Sequence, residues 1–242
     1  MKYEQIIMGR FLERPNRFIA YVEIPGVADR EKVHVKNTGR CKELLIPGAE
    51  VYLEKSTNPE RNTAYDLVAV QKGDRLVNMD SQAPNKVVGE WLLKEELITN
   101  ITLIKPETTW GNSRFDFYVE SAEEKAFIEV KGVTLEEDGV VRFPDAPSER
   151  AVKHVEELIA AKKAGYMVYV IFVIQMKDMK YFLPNWGTQP AFGEALLKAR
   201  QAGVEVVALD CYVTPDSLEI AERVPVYLEE REAVAAGLST PL

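Results

Sequence analysis

Apolar and polar residues alternate in short runs along the first third of the chain. FIAYVEI (18–24), KVHVKN (32–37), EVYLEKS (50–56), YDLVAVQKGD (65–74) and RLVNMD (75–80) place hydrophobic side chains at a spacing near two. That spacing is the repeat of a β-strand with one face turned inward. Turn residues separate the runs: Pro25-Gly26, Thr38-Gly39, Pro47-Gly48, Asn58-Pro59 and Lys72-Gly73-Asp74. Several short strands so close together predict a small barrel or sandwich over residues 1–82, of which an OB-like β-barrel is one form.

The pattern changes near Pro84. NKVVGEWLLKEEL (85–97) sets Val88, Trp91, Leu92 and then Ile98 at near-helical spacing. LITNITLIKPE, RFDFYVE and KAFIEVKGVTL read as strands. PSERAVKHVEELIAAKKAG (147–165) predicts a helix, with Ser148 to cap it, Glu149 at its positive end and Gly165 to stop it. YMVYVIFVIQM (166–176) is a long apolar run, broken only by Gln175, and rich in β-branched and aromatic residues, as in a strand buried on both faces. FGEALLKARQAG (192–203) predicts a second helix ending at glycine, and VEVVALDCYVT (204–214) another strand. This order predicts an α/β sandwich with a mixed sheet over residues 83–242. The last residues, AVAAGLSTPL, read as a loose tail.

Composition narrows the classes. Hydrophobic residues make up 46% and charged residues 28%, as in an ordinary globular protein. No apolar run approaches the roughly 20 residues that span a bilayer, so no membrane partner is expected. The N-terminal residues show no leader pattern. Cys41 and Cys211 are far apart and fit no metal-type spacing, which points to a reducing cytoplasm. The net charge of -8 argues mildly against a coat for nucleic acid. The charge is uneven, however. Residues 1–84 hold 13 basic and 12 acidic side chains, +1, which leaves -9 for the remainder. Residues 10–42 hold eight basic side chains against four acidic ones.

The stretch that carries chemistry is RFDFYVESAEEKAFIEVKGVTL. Asp116 sits in one predicted strand, and Glu129 and Lys131 sit two apart in the next, so the latter two share a face. A hairpin between 114–120 and 126–132 would bring Asp116 beside Glu129. Apolar neighbours (Phe127, Ile128, Val130, Val133) predict a buried strand, where carboxylates and lysines are costly without a purpose. Two carboxylates suit Mg²⁺ or Mn²⁺, the Val130 carbonyl can add a ligand, and an adjacent lysine can stabilise phosphate oxygens.

Asp116 followed by Glu129-x-Lys131 resembles the active site of the PD-(D/E)XK nuclease superfamily. The segments NTGRCKELLIPGAEV, APNKVV, GNSRFDF, IEVKGVTL and FPDAPSERAVKHVEEL, in order along most of the chain, resemble the sugar fermentation stimulation protein A family. The resemblance implies an N-terminal OB-like domain, a C-terminal nuclease-like domain, DNA binding and a regulatory role in sugar utilisation, notably of maltose. It casts Asp116 and Glu129 as metal ligands and Lys131 as the catalytic lysine, with Glu90 as a further acidic ligand from the preceding helix. The expected partner is nucleic acid, DNA by the resemblance; the oligomeric state is left open. Two activities follow: phosphodiester hydrolysis with a divalent metal, or DNA-binding regulation without cleavage.

Several polar residues are candidates for holding nucleic acid. Asn112 and Arg114 precede Asp116, with Arg114 suited to a phosphate. Arg150, near the predicted helix N-terminus and the turn residue Asp145, can receive another. His154 on that helix is expected to be structural, and Gln175 at the end of a buried strand is a polar site candidate. In the first domain, Asn37, Thr38, Arg40 and Lys42 surround a glycine turn able to offer N–H groups and cations to phosphate. Tyr21, Tyr52 and Tyr65 are possible stacking surfaces.

Overall fold

The structure is a computed structural model that describes residues 1–37 and 39–238. Thr38, one of the expected phosphate-binding residues, lies outside the described residues, as do residues 239–242.

The first domain comprises β1 (Ile6–Asn16), β2 (Ile19–Ile24), β3 (Ala28–Val35), β4 (Glu50–Lys55), β5 (Tyr65–Lys72) and β6 (Arg75–Asn78). Their order is β3-β2-β1-β4-β5-β6, and a parallel contact of β3 with β5 closes the first five into a barrel. This is the OB-type barrel. Strand β1 is the one its own residues hide. Register shifts against β2, at Phe11/Glu13 and at Glu13/Asn16, break the alternation that would otherwise mark it.

The second domain follows with α1 (Ala83–Leu92), β7 (Ile101–Trp110), β8 (Ser113–Ser121), β9 (Lys125–Val133), β10 (Glu136–Glu137), β11 (Val140–Phe143), α2 (Glu149–Lys163), β12 (Met167–Ile174), β13 (Tyr181–Pro184), α3 (Pro190–Gln201), β14 (Glu205–Thr214), β15 (Ser217–Val224) and α4 (Glu230–Ala235). Its main sheet runs β15-β14-β12-β9-β8-β7, with β12 parallel to both β9 and β14 and the other pairs antiparallel. Helices cover both faces, as expected of the nuclease-like sandwich. The helix predicted to run to residue 97 stops at Leu92, and Glu95 takes a positive φ of 57°. Of the expected loose tail, 233–242, the first three residues belong to α4, whose N-terminus carries a capping box between Glu229 and Glu232, and 239–242 lie outside the described residues. Gly165 and Gly203, at φ 95° and 86°, end α2 and α3 in the left-handed conformation open to glycine.

The two domains share one core. Phe11, Val35 and Leu53 of the barrel pack in the same cluster as Phe127, Leu158 and Phe172. On the opposite face of the sheet, Val88 and Trp91 of α1 pack with Ile128, Ile171 and Leu209. A buried polar network crosses the joint. Asn78, fully buried, donates to Tyr3 Oη at 2.8 Å and accepts from Gln175 Nε2 at 2.8 Å and from the Asp80 N–H at 3.1 Å. Gln175 also donates to the Asp80 carbonyl at 3.0 Å, and Lys36 lies 3.2 Å from the buried Asp80 carboxylate. Gln175 is therefore a joint between domains rather than a member of the acidic site. The first three residues lie on the second domain: Tyr3 N–H donates to the Asp216 carbonyl at 2.8 Å, and Lys2 bridges to Ser217.

Two more buried carboxylates are held by donors. Glu136 accepts from Lys72 at 2.6 Å, Gly139 N–H at 2.6 Å and Arg75 at 3.1 Å. Asp66 accepts the Arg61 fork at 2.7 and 2.8 Å and lies 2.8 Å from His34 Nδ1. Burial raises each pKa, but the donors outweigh it and the net shift is downward. A lowered folded-state pKa stabilises the fold above the unfolded value, here 4.5 for Glu and 3.8 for Asp, and that stability is lost as pH falls through the folded value. The thermal midpoint is thus expected to drop on acidification below about pH 5, and Glu136→Gln to flatten part of the drop. Scanning calorimetry across that range checks this; a midpoint indifferent to acid contradicts it.

Candidate metal centre

Strands β8 and β9 pair through Glu120↔Lys125, Tyr118↔Phe127 and Phe117↔Ile128. Past that last rung the Asp116 carboxylate takes over: its Oδ2 accepts the Val130 N–H at 2.7 Å. Its Oδ1 accepts from Asn85 Nδ2, on the first turn of α1, at 2.8 Å. The apolar residues flanking Asp116 and Glu129 fix both strands in the core, which leaves Glu129 buried and Asp116 partly buried and close enough to feel the charge of Glu129.

Glu129 is 2% exposed. Its Oε1 accepts from Lys131 Nζ and lies 2.6 Å from His154 Nδ1 on α2. Its Oε2 is buried and has no hydrogen-bond partner among the described residues. The Arg150 Nε donates to His154 Nε2 at 3.4 Å. Arginine only donates, so Nε2 is the acceptor and the Nδ1 proton points at Glu129. Ser148 caps α2, accepting the Ala151 N–H at 3.2 Å, and this fixes where His154 and Arg150 emerge.

The electrostatics split the two acids. Burial, then the charge of Glu129, pushes the Asp116 pKa up against the Val130 and Asn85 donors. Burial also pushes Glu129 up, but the His154 and Lys131 hydrogen bonds win and its pKa is lowered. Glu129 is thus held ionised with one oxygen aimed into the site and no donor on it. A buried anionic oxygen without a donor is costly, and a cation there offsets the cost. The donor set fits a hard divalent ion: two carboxylates, the nearby Val130 carbonyl and water, which is how Mg²⁺ is commonly held.

Asp116, Glu129 and Lys131 come together as expected. Glu90 does not join them: it lies on α1 but pairs with the N-terminal ammonium at 2.7 Å, its side chain 56% exposed. Among the described residues, no group of three or more His, Cys, Asp or Glu side chains is set to hold a metal, so the third acidic ligand expected of Glu90 is absent. Asn85 occupies the α1 position that meets the acids instead. Arg114 leans away to Glu107 at 3.5 Å, and Asn112 only offers its carbonyl to Lys153 at 3.4 Å. Arg150 reaches the centre through His154. Sequence reasoning missed Asn85 and undervalued His154; the signal was a polar residue within the first two turns of each flanking helix.

The glycine turn differs from its expected role. Asn37 is spent internally, its Oδ1 accepting the Gly39 N–H at 2.7 Å and its Nδ2 donating to the Met79 carbonyl at 2.9 Å. The Arg40 N–H donates to Asp145 at 3.2 Å. Two of the turn's backbone donors, those of Gly39 and Arg40, are therefore already taken, and the Arg40 and Lys42 side chains remain as the turn's cations. Of the tyrosines, Tyr21 is covered by Arg30 at 4.0 Å, Tyr52 donates to Glu50 at 2.5 Å and Tyr65 packs on the core.

Comparison with known proteins places the chain. A family model described as "Sugar fermentation stimulation protein RE domain" matches residues 82–217, and one described as "SfsA N-terminal OB domain" matches residues 12–79. A sugar fermentation stimulation protein homolog of Clostridium beijerinckii is 59% identical over 228 residues, 94% of this chain and 100% of the relative. Its counterpart in Ruminiclostridium cellulolyticum is 58% identical over 228 residues, with the same 94% and 100% coverage. Among solved structures, SfsA of Pyrococcus furiosus in complex with Ca²⁺ superposes with a TM-score of 0.82 at 27% identity, covering 94% of this chain and 98% of that one. With a shared barrel, a shared sheet and near full-length identity of this order, the chain belongs to the sugar fermentation stimulation protein family.

Proposed function

We propose that this chain binds nucleic acid, DNA in the first instance, and hydrolyses phosphodiester bonds at the Asp116–Glu129–Lys131 centre with Mg²⁺ or Mn²⁺. The observation that carries the reading is the buried, donorless Oε2 of an ionised Glu129, set beside Asp116 and Lys131. The Ca²⁺ in the Pyrococcus furiosus relative supports a hard divalent cation in this fold. Such a cation supplies Lewis acidity and a bound water of lowered pKa. The protein's part is positional. Glu129 and Asp116 hold the cation; Lys131, a point charge with three donors, steadies Glu129 and faces phosphate oxygens; Arg150 adds a guanidinium next to His154. On this reading the family's role in sugar utilisation, that of maltose in particular, is exerted through nucleic acid.

Cleavage of end-labelled single- and double-stranded DNA and RNA, with Mg²⁺, Mn²⁺ or chelator, tests the proposal. Metal-dependent cutting is expected. The missing third acid favours a second reading, DNA-binding regulation without cleavage; retained binding with no cutting on any substrate would establish that one instead.

His154 acts as a positioning residue for Glu129. Its replacement by alanine is expected to weaken Mn²⁺ affinity about 10–100-fold, the usual cost of removing a group that orients a metal ligand. Calorimetric titration reads this directly, and an unchanged affinity would remove His154 from the account.

A further inference from the structure

We propose that a groove on the barrel, beside the 37–42 turn, binds single-stranded nucleic acid and passes it to the metal centre through the cleft between the domains. The inference rests on the nucleic-acid reading above and names its substrate class. The groove measures 570 Å³ and is lined by four cations, Arg14, Arg17, Arg40 and Lys42, against one carboxylate, Glu13. Glu13 is itself paired with Arg30. Among the described residues, no carboxylate pairs with the side chains of Arg17, Arg40 or Lys42. In a chain of net charge -8, such an excess is local and not an average property.

The walls are held in place before any ligand arrives. Arg14 donates to the carbonyls of Arg17 at 2.7 Å, Asn37 at 2.6 Å, and Gly39 and Arg40 at 2.9 Å each. One guanidinium thereby ties the β1–β2 connection, which bears Arg17, to the turn that bears Arg40. The floor is apolar, formed in part by buried Phe11 and Leu45. Phe18, next in the chain to the lining residue Arg17, is 44% exposed and borders a neighbouring cleft with Lys36 and Asn37, with the Arg17 guanidinium 4.8 Å from its ring centroid. Basic walls suit a backbone, while an apolar floor and the exposed part of the nearby Phe18 ring suit base faces. Only an unpaired strand exposes both, because a duplex hides its base faces by stacking.

A second cleft of 320 Å³, between the domains, adjoins the groove at Gly39, which lines both, and its lining includes Gly132 and Ser148. Gly132 directly follows Lys131, and Ser148 caps the helix that carries His154. A Cβ at residue 132 would come within 2.7 Å of Gln175 Oε1 and 2.8 Å of Pro84 Cγ, so the glycine lets the interdomain joint close beside that cleft.

The test is fluorescence anisotropy with a labelled single strand and the same sequence as a hairpin duplex, in chelator so that no cutting occurs. The full chain is compared with Arg17→Glu/Lys42→Glu and with Phe18→Ala, all exposed positions. Tighter binding of the single strand is expected. The double variant should lose at least tenfold in affinity, with a salt dependence shallower by about one logarithmic unit or more, since each phosphate contact contributes roughly 0.7. Phe18→Ala should lose about fivefold or more. Preference for the duplex, or variants that bind as well as the parent, overturns the groove and leaves the nucleic-acid reading standing. No binding of either probe by the parent chain overturns both.

Discussion

Glu129→Gln is expected to reduce metal-dependent cleavage by about 10³-fold, or roughly 4 kcal/mol of barrier, with the fold retained. Glutamine preserves the volume and one acceptor oxygen for His154 or Lys131. It removes the charge from the donorless oxygen, which is the feature that asks for a cation. The lowered pKa of Glu129 means that its charge, paired with Lys131 and His154, contributes some stability, which the variant gives up while keeping the side chain's volume. Single-turnover rates for parent and variant, with far-ultraviolet circular dichroism as the folding control, decide the matter. A variant that cuts within about tenfold of the parent would show the activity to lie elsewhere.

Asn78→Leu is expected to cost about 4 kcal/mol of stability, the largest effect outside the acidic site. Asn78 is fully buried and satisfies three groups at once: Tyr3 Oη, Gln175 Nε2 and the Asp80 N–H. Leucine orphans the Asp80 N–H, at about 1–3 kcal/mol, and takes one bond each, at about 1 kcal/mol, from Tyr3 Oη, left with the Asp80 carboxylate at 3.3 Å, and from Gln175 Nε2, left with the Asp80 carbonyl at 3.0 Å. Because the network joins the barrel to the end of β12, the loss should appear as loosened docking of the domains. Denaturant unfolding gives the magnitude, and hydrogen exchange at Tyr3 and Gln175 gives the place. A midpoint unchanged from the parent would mean that water or a shift of Gln175 replaces the asparagine at no cost.

The strands of the barrel were legible where side chains alternate cleanly, as in β2 and β4. Strand β1 was not, because its bulges put successive residues out of phase. The short strands β10, β11 and β13 escaped for another reason: two to four residues hold too little pattern to mark a strand. Asp116, Glu129 and Lys131 could be found because charged residues on an apolar strand contradict their surroundings. Glu90 could not be judged in that way. A helix carboxylate points where the helix is rotated, and the Met1 ammonium, 89 residues earlier, takes it. His154 and Asn85 join the centre only through tertiary packing of α2 and α1 on opposite faces of the sheet, which no local window encodes. The turn at Asn37 resembled a phosphate cradle because its N–H groups look free in sequence; Asp145, from the other domain, fills one of them.

The most direct test of the central claim is the binding of Mn²⁺ itself, followed by electron paramagnetic resonance, in the parent chain and in an Asp116→Asn/Glu129→Gln variant, without nucleic acid or any activity readout. The account predicts one Mn²⁺ held by the parent and none by the variant at the same free concentration. Equal binding by the two proteins would contradict a metal centre built on Asp116 and Glu129.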